Sequence, residues 1–545
     1  MATLSDFRDE RLRKLAEIRA AGVDPYPAAT TRDTKIGDVL ENYESFEEKT
    51  ITAAGRIVGI RKFGKIAFIV IRDYSGEIQL FLKDGEVQES HSEPSEESVR
   101  DSSESKILQN DSGGLRVDSR VKPENDKSSI GLNQLNLLDT GDFIEATGQV
   151  GRTKTGEISI MVRRLKLLTK ALRPLPTKQD GFTNKEERLR RRYVDMNVNL
   201  DVRDRFVRRS KFWQATRDFL RQNDFIEINV PVLEHTTGGA DAKAFKTHMD
   251  ALDEDFYLRI SHELPLKRLI GAGFERVYDI GPRFRNEGID DEHLPEHIAM
   301  ESYAAYQDYE DGMKLYEAMI KYVAQETWGT LEFSRDDMTV NLDQDWPRIK
   351  YADIMREKFD IDVFAEDTEE NREKLRAILR QEKREFDPSV GTARLLDNIW
   401  KIIRASSPGP FWLIHEPVAI SPLAKREPGD NRVTQRFHPI ILGTEMGNGF
   451  SELNDPQEQL QRFVEQQNLR DAGDAEAMML DIDFVEMLEY GMPPTCGWGN
   501  SERNFWLLEG VTAREGVPFP QLRREIDGVT KGIYGDIIKE RDLPR

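Results

Sequence analysis

The sequence predicts an α+β protein: a small closed β-barrel, then a larger domain with an antiparallel sheet flanked by helices. Three observations predict it. Short alternating strands crowd into residues 51–83 and 141–168. Beyond a Pro-containing linker at 172–182, helical stretches (200–223, 308–327, 367–383) mix with strands (225–233, 274–287, 411–415, 437–453) without a regular βαβ rhythm. No Walker A loop and no Gly-x-Gly-x-x-Gly follows a strand, so neither a P-loop nor a dinucleotide fold is expected.

The 545 residues are 38% hydrophobic and 32% charged, a globular balance with material for more than one domain. No run of about 18 apolar residues appears, so no membrane span is expected. The N-terminus lacks an apolar signal core. The single Cys496 cannot form an internal disulfide. A cytoplasmic protein is the expectation. A net charge of −21 argues against wholesale nucleic-acid binding but permits a local basic surface. Arg8, Arg11, Arg13, Lys14 and the run at 188–192 are such surfaces, or simply solvated ones.

Residues 4–21 read as an amphipathic helix closed by Gly22 and Pro25. Residues 1–45 are expected to form a helical extension, and 46–172 the barrel. Its segments ITAAGRIVGIRKFG, KIAFIVIRD and GEIQLFLKD are separated by Gly and Asp-Tyr-Ser-Gly turns. Five such strands suit an OB-fold. Residues 85–136, rich in Ser, Glu, Asp and Asn, read as a flexible insertion within it. Residues 173–545 are expected to be the second domain, with a helical insertion at about 310–405.

Three segments of that domain carry chemistry. On a strand over 274–287, Arg283, Arg285 and Glu287 share a face, suited to a phosphate or carboxylate, or to a surface salt-bridge ladder. In ILGTEMGNGFSELNDP (441–456), Asn448, Phe450 and Glu452 share a face. Glu445 joins them only if the chain bends, as Gly447 and Gly449 allow. Two carboxylates there could hold Mg²⁺, pair with a cationic substrate, or face solvent. In PPTCGWGNSERNFWLL (493–508), a Gly-rich turn places Arg503 at a helix start.

At these segments the chain resembles class II aminoacyl-tRNA synthetases, and lysyl-tRNA synthetases of the bacterial type in particular. TRDFLRQNDFIEINVPVL (216–233) resembles the first class motif, YLRISHELPLKRLIGAGFERVYDIGPRFRNEG the second and GWGNSER the third. The lysine-type features are GGADAKAF (238–245), ISPLAKR (420–426), TEMGNGFSELNDP and LEYGMPPT (488–495).

The resemblance implies ATP-dependent activation of lysine and its transfer to tRNA, with Mg²⁺ and a homodimer. It implies that Arg285 holds the α-phosphate and the lysine carboxylate, Glu287 the adenine amino group, and Arg503 the γ-phosphate, with His293 and His297 also at the nucleotide. It implies Glu445 and Glu452 as Mg²⁺ ligands. It places Gly238 and Glu263 at the lysine α-amino group, and Glu301, Tyr303, Asn448, Phe450 and Glu452 around the side chain. In the barrel it implies anticodon contacts from Arg61, Phe68, Gln79 and Glu157. The chain departs from the family at Glu292, where an arginine is usual, and at His297, where a phenylalanine is usual. Its third-motif glycine turn is one residue shorter, with Asn500-Ser501 in it. The competing readings are an aspartate- or asparagine-type synthetase and a paralogue that binds RNA without turnover.

Overall fold

The computed structural model describes residues 3–87, 106–109, 115–118, 129–176, 182–240, 242–388, 390–474, 476–535 and 537. They fall into two compact units, Met1–Phe182 with Arg523–Arg545, and Thr183–Leu522.

The first unit is the expected barrel. Strand β1 (Thr50–Phe63) is long enough to pair twice, with β2 (Ile66–Arg72) and with β4 (Phe143–Arg152). Strand β3 (Glu77–Lys83) runs antiparallel to β2 and parallel to β5 (Ile158–Thr169), which closes the ring onto β4. Period-two alternation buries Ile69, Ile71, Leu80 and Leu82 and turns the residues between them outward. The β2–β3 turn is tied by the Asp73 carboxylate, which accepts from the amides of Ser75 (2.7 Å) and Gly76 (3.0 Å).

Three expected boundaries shift. Residues 1–45 are not a separate extension: Ile18 of helix α1 (Leu4–Ala20), Val23, Ile36 and Val39 sit in the barrel core, because the helix's apolar face needs cover. Residues 523–535 pack with this unit rather than with the second; Arg8 lies 5.8 Å over the Tyr534 ring. Within the expected insertion, residues 88–105, 110–114 and 119–128 lie outside the described residues. Lys106–Gln109 and Leu115–Asp118 pair as a hairpin. Ile130, Leu132 and Leu135 are buried in the barrel core, so the barrel resumes by residue 129 rather than after 136. A 3₁₀ turn over Leu132–Leu137 puts leucines at i and i+3 on one side.

The second unit is built on a nine-stranded sheet. In chain order its strands are β6 (Ile226–Glu227), β7 (Arg276–Phe284), β8 (Glu296–Ala305), β9 (Arg348–Lys350), β10 (Phe411–Ile414), β11 (Arg436–Ile441), β12 (Thr444–Glu445), β13 (Asn448–Ser451) and β14 (Thr495–Ser501). The spatial order is β9-β10-β11-β13-β14-β8-β7-β6, with β12 on β11. Pairing is antiparallel except at the two outermost pairs, β9–β10 and β7–β6. Helices α2 (Leu200–Gln222) and α4 (Tyr309–Trp328) share the largest core with the sheet. The expected strand 225–233 shrinks to two short pieces, Ile226–Glu227 and Leu233–Glu234.

The expected insertion at 310–405 is also corrected. Helix α4 belongs to the main core, through Met313, Tyr316, Ile320 and Val323. Residues 351–405, ending in helix α5 (Thr392–Ala405), build a separate core against β10 and β11. Among the described residues no helix is long and apolar enough to cross a membrane.

Candidate active site

A cavity of about 360 Å³ opens on the sheet between β7, β8, β11, β13 and β14. Strand register creates it. Glu301 and Tyr303 alternate on β8, and Asn448 and Phe450 on β13, so each pair shares a face. Strand β14 runs between them and places Gly497 opposite Tyr303 and Phe450, and Gly499 opposite Glu301 and Asn448. A Cβ at Gly497 would stand 2.3 Å from both Tyr303 Cε1 and Glu452 Oε1. The glycines of the third segment therefore hollow out the sheet.

One end of the cavity is acidic. Glu301 accepts from Ser261 Oγ (2.7 Å) and from the Tyr303 hydroxyl (3.2 Å). Burial pushes its carboxyl up, but His262, Arg283 and Ser261 outweigh that and hold it at about 2. Glu301 stays ionised. Burial and the surrounding carboxylates keep Tyr303 protonated, as a donor.

Beside them lies a residue the sequence reading missed. Lys267, on helix α3 (Glu263–Gly271), is 1% exposed, with Nζ 2.5 Å from Glu263 and paired also with Glu452. Its ammonium lies 5.1 Å over the Phe450 ring. Burial would strip its proton, but the two carboxylates outweigh that and hold it on; burial in turn pushes both carboxyls up. Glu263 and Glu452 share this internal ammonium, and Glu301 lies beside them, 3.9 Å from Arg283. The α- and ε-ammonium groups of a lysine substrate would find three carboxylates here against two internal cations. The signal was present in ELPLKRLI: a lysine four residues after a glutamate, on the buried apolar side of a helix.

The middle of the cavity is basic. Arg283 and Arg285 line it from the end of β7 and just beyond, with the Arg285 amide bonded to Pro295 O (2.9 Å). Burial and Arg285 push Arg283 down to about 9, still protonated at neutral pH. Arg283 Nε donates to His297 Nε2 (2.7 Å), and burial plus the two arginines keep that imidazole neutral. Opposite, Arg436 Nε holds Asn448 Oδ1 (2.9 Å), and buried Glu416 lies 3.0 Å from Arg436 and 3.3 Å from His438. Glu445 accepts from Trp400 Nε1 (2.5 Å), with Arg404 at 3.8 Å and His438 at 3.9 Å. Burial raises its carboxyl, but those neighbours win and keep it ionised.

Arg503 stands at the far end. Ser501 caps helix α6 (Glu502–Glu509) by accepting from the Arg503 amide (3.3 Å). Glu502 is buried and paired with Arg209, while Arg503 faces the cavity. Its guanidinium is paired with Glu292, which also reaches Arg335 at 3.1 Å.

The cavity thus gathers Glu263, Arg285, Glu301, Tyr303, Glu445, Asn448, Phe450, Glu452 and Arg503. Four expected residues lie elsewhere. Gly238 is buried against Leu264; the lining glycine is Gly239, whose φ of +81° suits the bend over Glu263. Glu287 lies beyond the end of β7, exposed, accepting from the Lys243 amide (3.3 Å). His293 is turned to Asp290 (2.9 Å). His297 stands behind Arg283, its ring 6.4 Å from that of Trp506.

The metal expectation divides. Among the described residues no cluster of three or more His, Cys, Asp or Glu side chains could hold an ion unaided. An Mg²⁺ carried on a nucleotide needs only one or two protein carboxylates. Glu445, ionised and lining the cavity, fits that role. Glu452 does not: its buried carboxylate is committed to Lys267.

On the barrel, Arg61 and Phe68 are cross-strand partners on the outer face of β1 and β2, and Gln79 on β3 donates to Ser159 Oγ (3.0 Å). Phe68 lies between Phe63 (6.3 Å) and Phe81 (5.3 Å), an aromatic row of which only Phe68 was anticipated. Glu157 is exposed in the turn before β5.

The first unit is a barrel with an outward aromatic row, and the second a largely antiparallel sheet holding arginines, carboxylates and a glycine-opened cavity. A family model described as tRNA synthetases class II (D, K and N) matches residues 184–523, and one described as OB-fold nucleic acid binding domain matches residues 51–100. The chain is 38% identical over 535 residues to a lysine–tRNA ligase of Thermotoga maritima, covering 95% of this chain and 96% of that one. It is 40% identical over 526 residues to one of Roseiflexus sp. (95% and 99%), and 36% over 529 residues to one of Clostridium acetobutylicum (96% and 94%). The chain belongs to the class II tRNA synthetases, and within them to the lysine–tRNA ligase family.

Proposed function

We propose that the protein activates L-lysine with ATP and transfers it to the 3′ end of its tRNA, in the cytoplasm and as a homodimer. The observation that carries the substrate is the acidic end of the cavity, where Glu263, Glu301 and Glu452 outnumber Lys267 and Arg283. Aspartate would need a free cation at that depth, and Lys267 is saturated by two carboxylates.

In the first step the lysine carboxylate attacks the α-phosphorus of ATP in line, and pyrophosphate leaves. Arg285 holds the attacked phosphate and the carboxylate together, and Arg503 holds the outer phosphates. Glu301 and Tyr303 orient the side-chain ammonium. Mg²⁺ held by Glu445 would supply charge neutralisation for the phosphates. In the second step the 3′-hydroxyl of the tRNA attacks the acyl carbon, a new ester forms and AMP leaves. No side-chain nucleophile takes part. On the barrel, Phe68 stacks an anticodon base while Arg61, Gln79 and Glu157 read neighbouring atoms, a role the row Phe63–Phe68–Phe81 supports. The homodimer rests on the resemblance of residues 216–233 to the first class motif.

ATP–pyrophosphate exchange with lysine, aspartate and asparagine in turn tests the substrate. Exchange with lysine alone is expected; exchange with aspartate or asparagine refutes the pocket assignment. Arg285→Ala should lower lysine-dependent exchange by at least about a hundredfold; unchanged exchange would remove Arg285 from the reaction.

A further inference from the structure

We propose that Arg335 is a second anchor for the outer phosphates of the nucleotide, acting with Arg503, and that Glu292 holds the anion position between them until a phosphate displaces it. This rests on the reading of Arg503 as a phosphate ligand. Arg335 closes the strand Glu332–Arg335, which pairs with Met338–Asn341, and its NH1 donates to Thr444 Oγ1 (3.2 Å). The side chain is thus held against Thr444, the residue before Glu445. Its other nitrogen lies 3.1 Å from Glu292 Oε1, while Glu292 Oε2 takes Arg503.

Two guanidiniums converging on one point repel unless an anion lies between them. Here that anion is a side chain from the loop after β7. A carboxylate and a phosphate offer a guanidinium the same pair of acceptor oxygens. Although burial works against it, Arg503 and Arg335 hold the Glu292 carboxyl ionised. The three residues line a second cavity, of about 380 Å³, that meets the first one at Arg503. All three are partly exposed, so an anion in solvent can compete for the position. Where the family usually carries an arginine, this chain has Glu292, and Arg335 returns the positive charge from a different element.

The test compares binding of ATP and AMP, each with Mg²⁺, to the full chain by calorimetry. AMP lacks the outer phosphates and reports on the rest of the site and on folding. Arg335→Ala should weaken ATP by roughly tenfold or more, the range for one charge-assisted hydrogen bond, and leave AMP unchanged. Glu292→Gln removes the competing charge and should tighten ATP several-fold, again without affecting AMP. Loss of ATP and AMP in equal measure, or of neither, in Arg335→Ala overturns the assignment. Unchanged or weakened ATP binding in Glu292→Gln overturns the placeholder role. Arg503→Ala separates the two readings. If it weakens ATP alone while Arg335→Ala does not, only this inference fails; if neither shifts ATP against AMP, the phosphate reading of Arg503 fails as well.

Discussion

Replacing Lys267 by methionine tests the charge balance at the base of the cavity. The side chains are similar in length, so packing changes little, but Glu263 and Glu452 lose their shared counter-ion. Removing one member of a buried ion pair costs about 3–5 kcal/mol, because the remaining charge stays uncompensated. At neutral pH the variant should be destabilised by that amount. The cost should depend on pH. Burial already raises both carboxyls above 4.5 in the folded protein, and without the lysine only Arg436, acting on Glu263, is left to oppose it. The folded variant then binds more protons than the unfolded chain, so its stability falls as pH rises through the raised values and returns as pH is lowered. Urea unfolding of the full chain, followed by the fluorescence of buried Trp400 and Trp498, measures this at about pH 5.5 and pH 7.5. The midpoint should drop by about 1 M at the higher pH and by much less at the lower. Adding Glu452→Gln should restore much of the loss. A Lys267→Met protein as stable as the parent at pH 7.5, or one destabilised equally at both values, would refute the claim that Lys267 neutralises these carboxylates.

Glu301→Gln keeps the shape of the pocket and removes the charge held at about 2. The KM for lysine should rise by about 30-fold or more while the KM for ATP stays unchanged, measured by exchange kinetics. Phe68→Ala removes the centre of the aromatic row on the barrel. Loss of one base stack, about 1–3 kcal/mol, should raise the KM for tRNA in charging assays and leave tRNA-independent exchange untouched. Trp400→Phe deletes the donor to Glu445; the Mg²⁺ concentration needed for half-maximal exchange should rise, and an unchanged requirement would detach Glu445 from the metal.

The barrel was legible because period-two burial is a local property. Each of the segments at 51–83 and 141–168 carries its own inside and outside, and the turn residues between them are written in Asp73, Ser75 and Gly76. The cavity residues Asn448 and Phe450 were legible for the same reason, since two residues apart on a strand means one face, whereas Glu301 and Tyr303 came from the resemblance alone. Most of the expected residues that do not line the cavity sit where the chain leaves regular structure. Strand β7 stops at Phe284, so alternation no longer governs Glu287. His293 turns to Asp290 in the loop, and His297, at the start of β8, meets Arg283 as its cross-strand partner. Gly239 rather than Gly238 lines the cavity, and only its positive φ shows which glycine makes the bend.

By itself the sequence determined the order of barrel and sheet, the strand faces that carry the reactive side chains, and the start of helix α6 that presents Arg503. Periodicity, capping and turn chemistry act over a few residues and need no partner. Only the tertiary structure decided which charges neutralise one another. Lys267 meets Glu452 from 185 positions away, Arg503 meets Glu292 from 211, and Arg335 reaches the same carboxylate from 43. Ionic pairing depends on distance and burial in space, and neither is written in the spacing of residues along the chain.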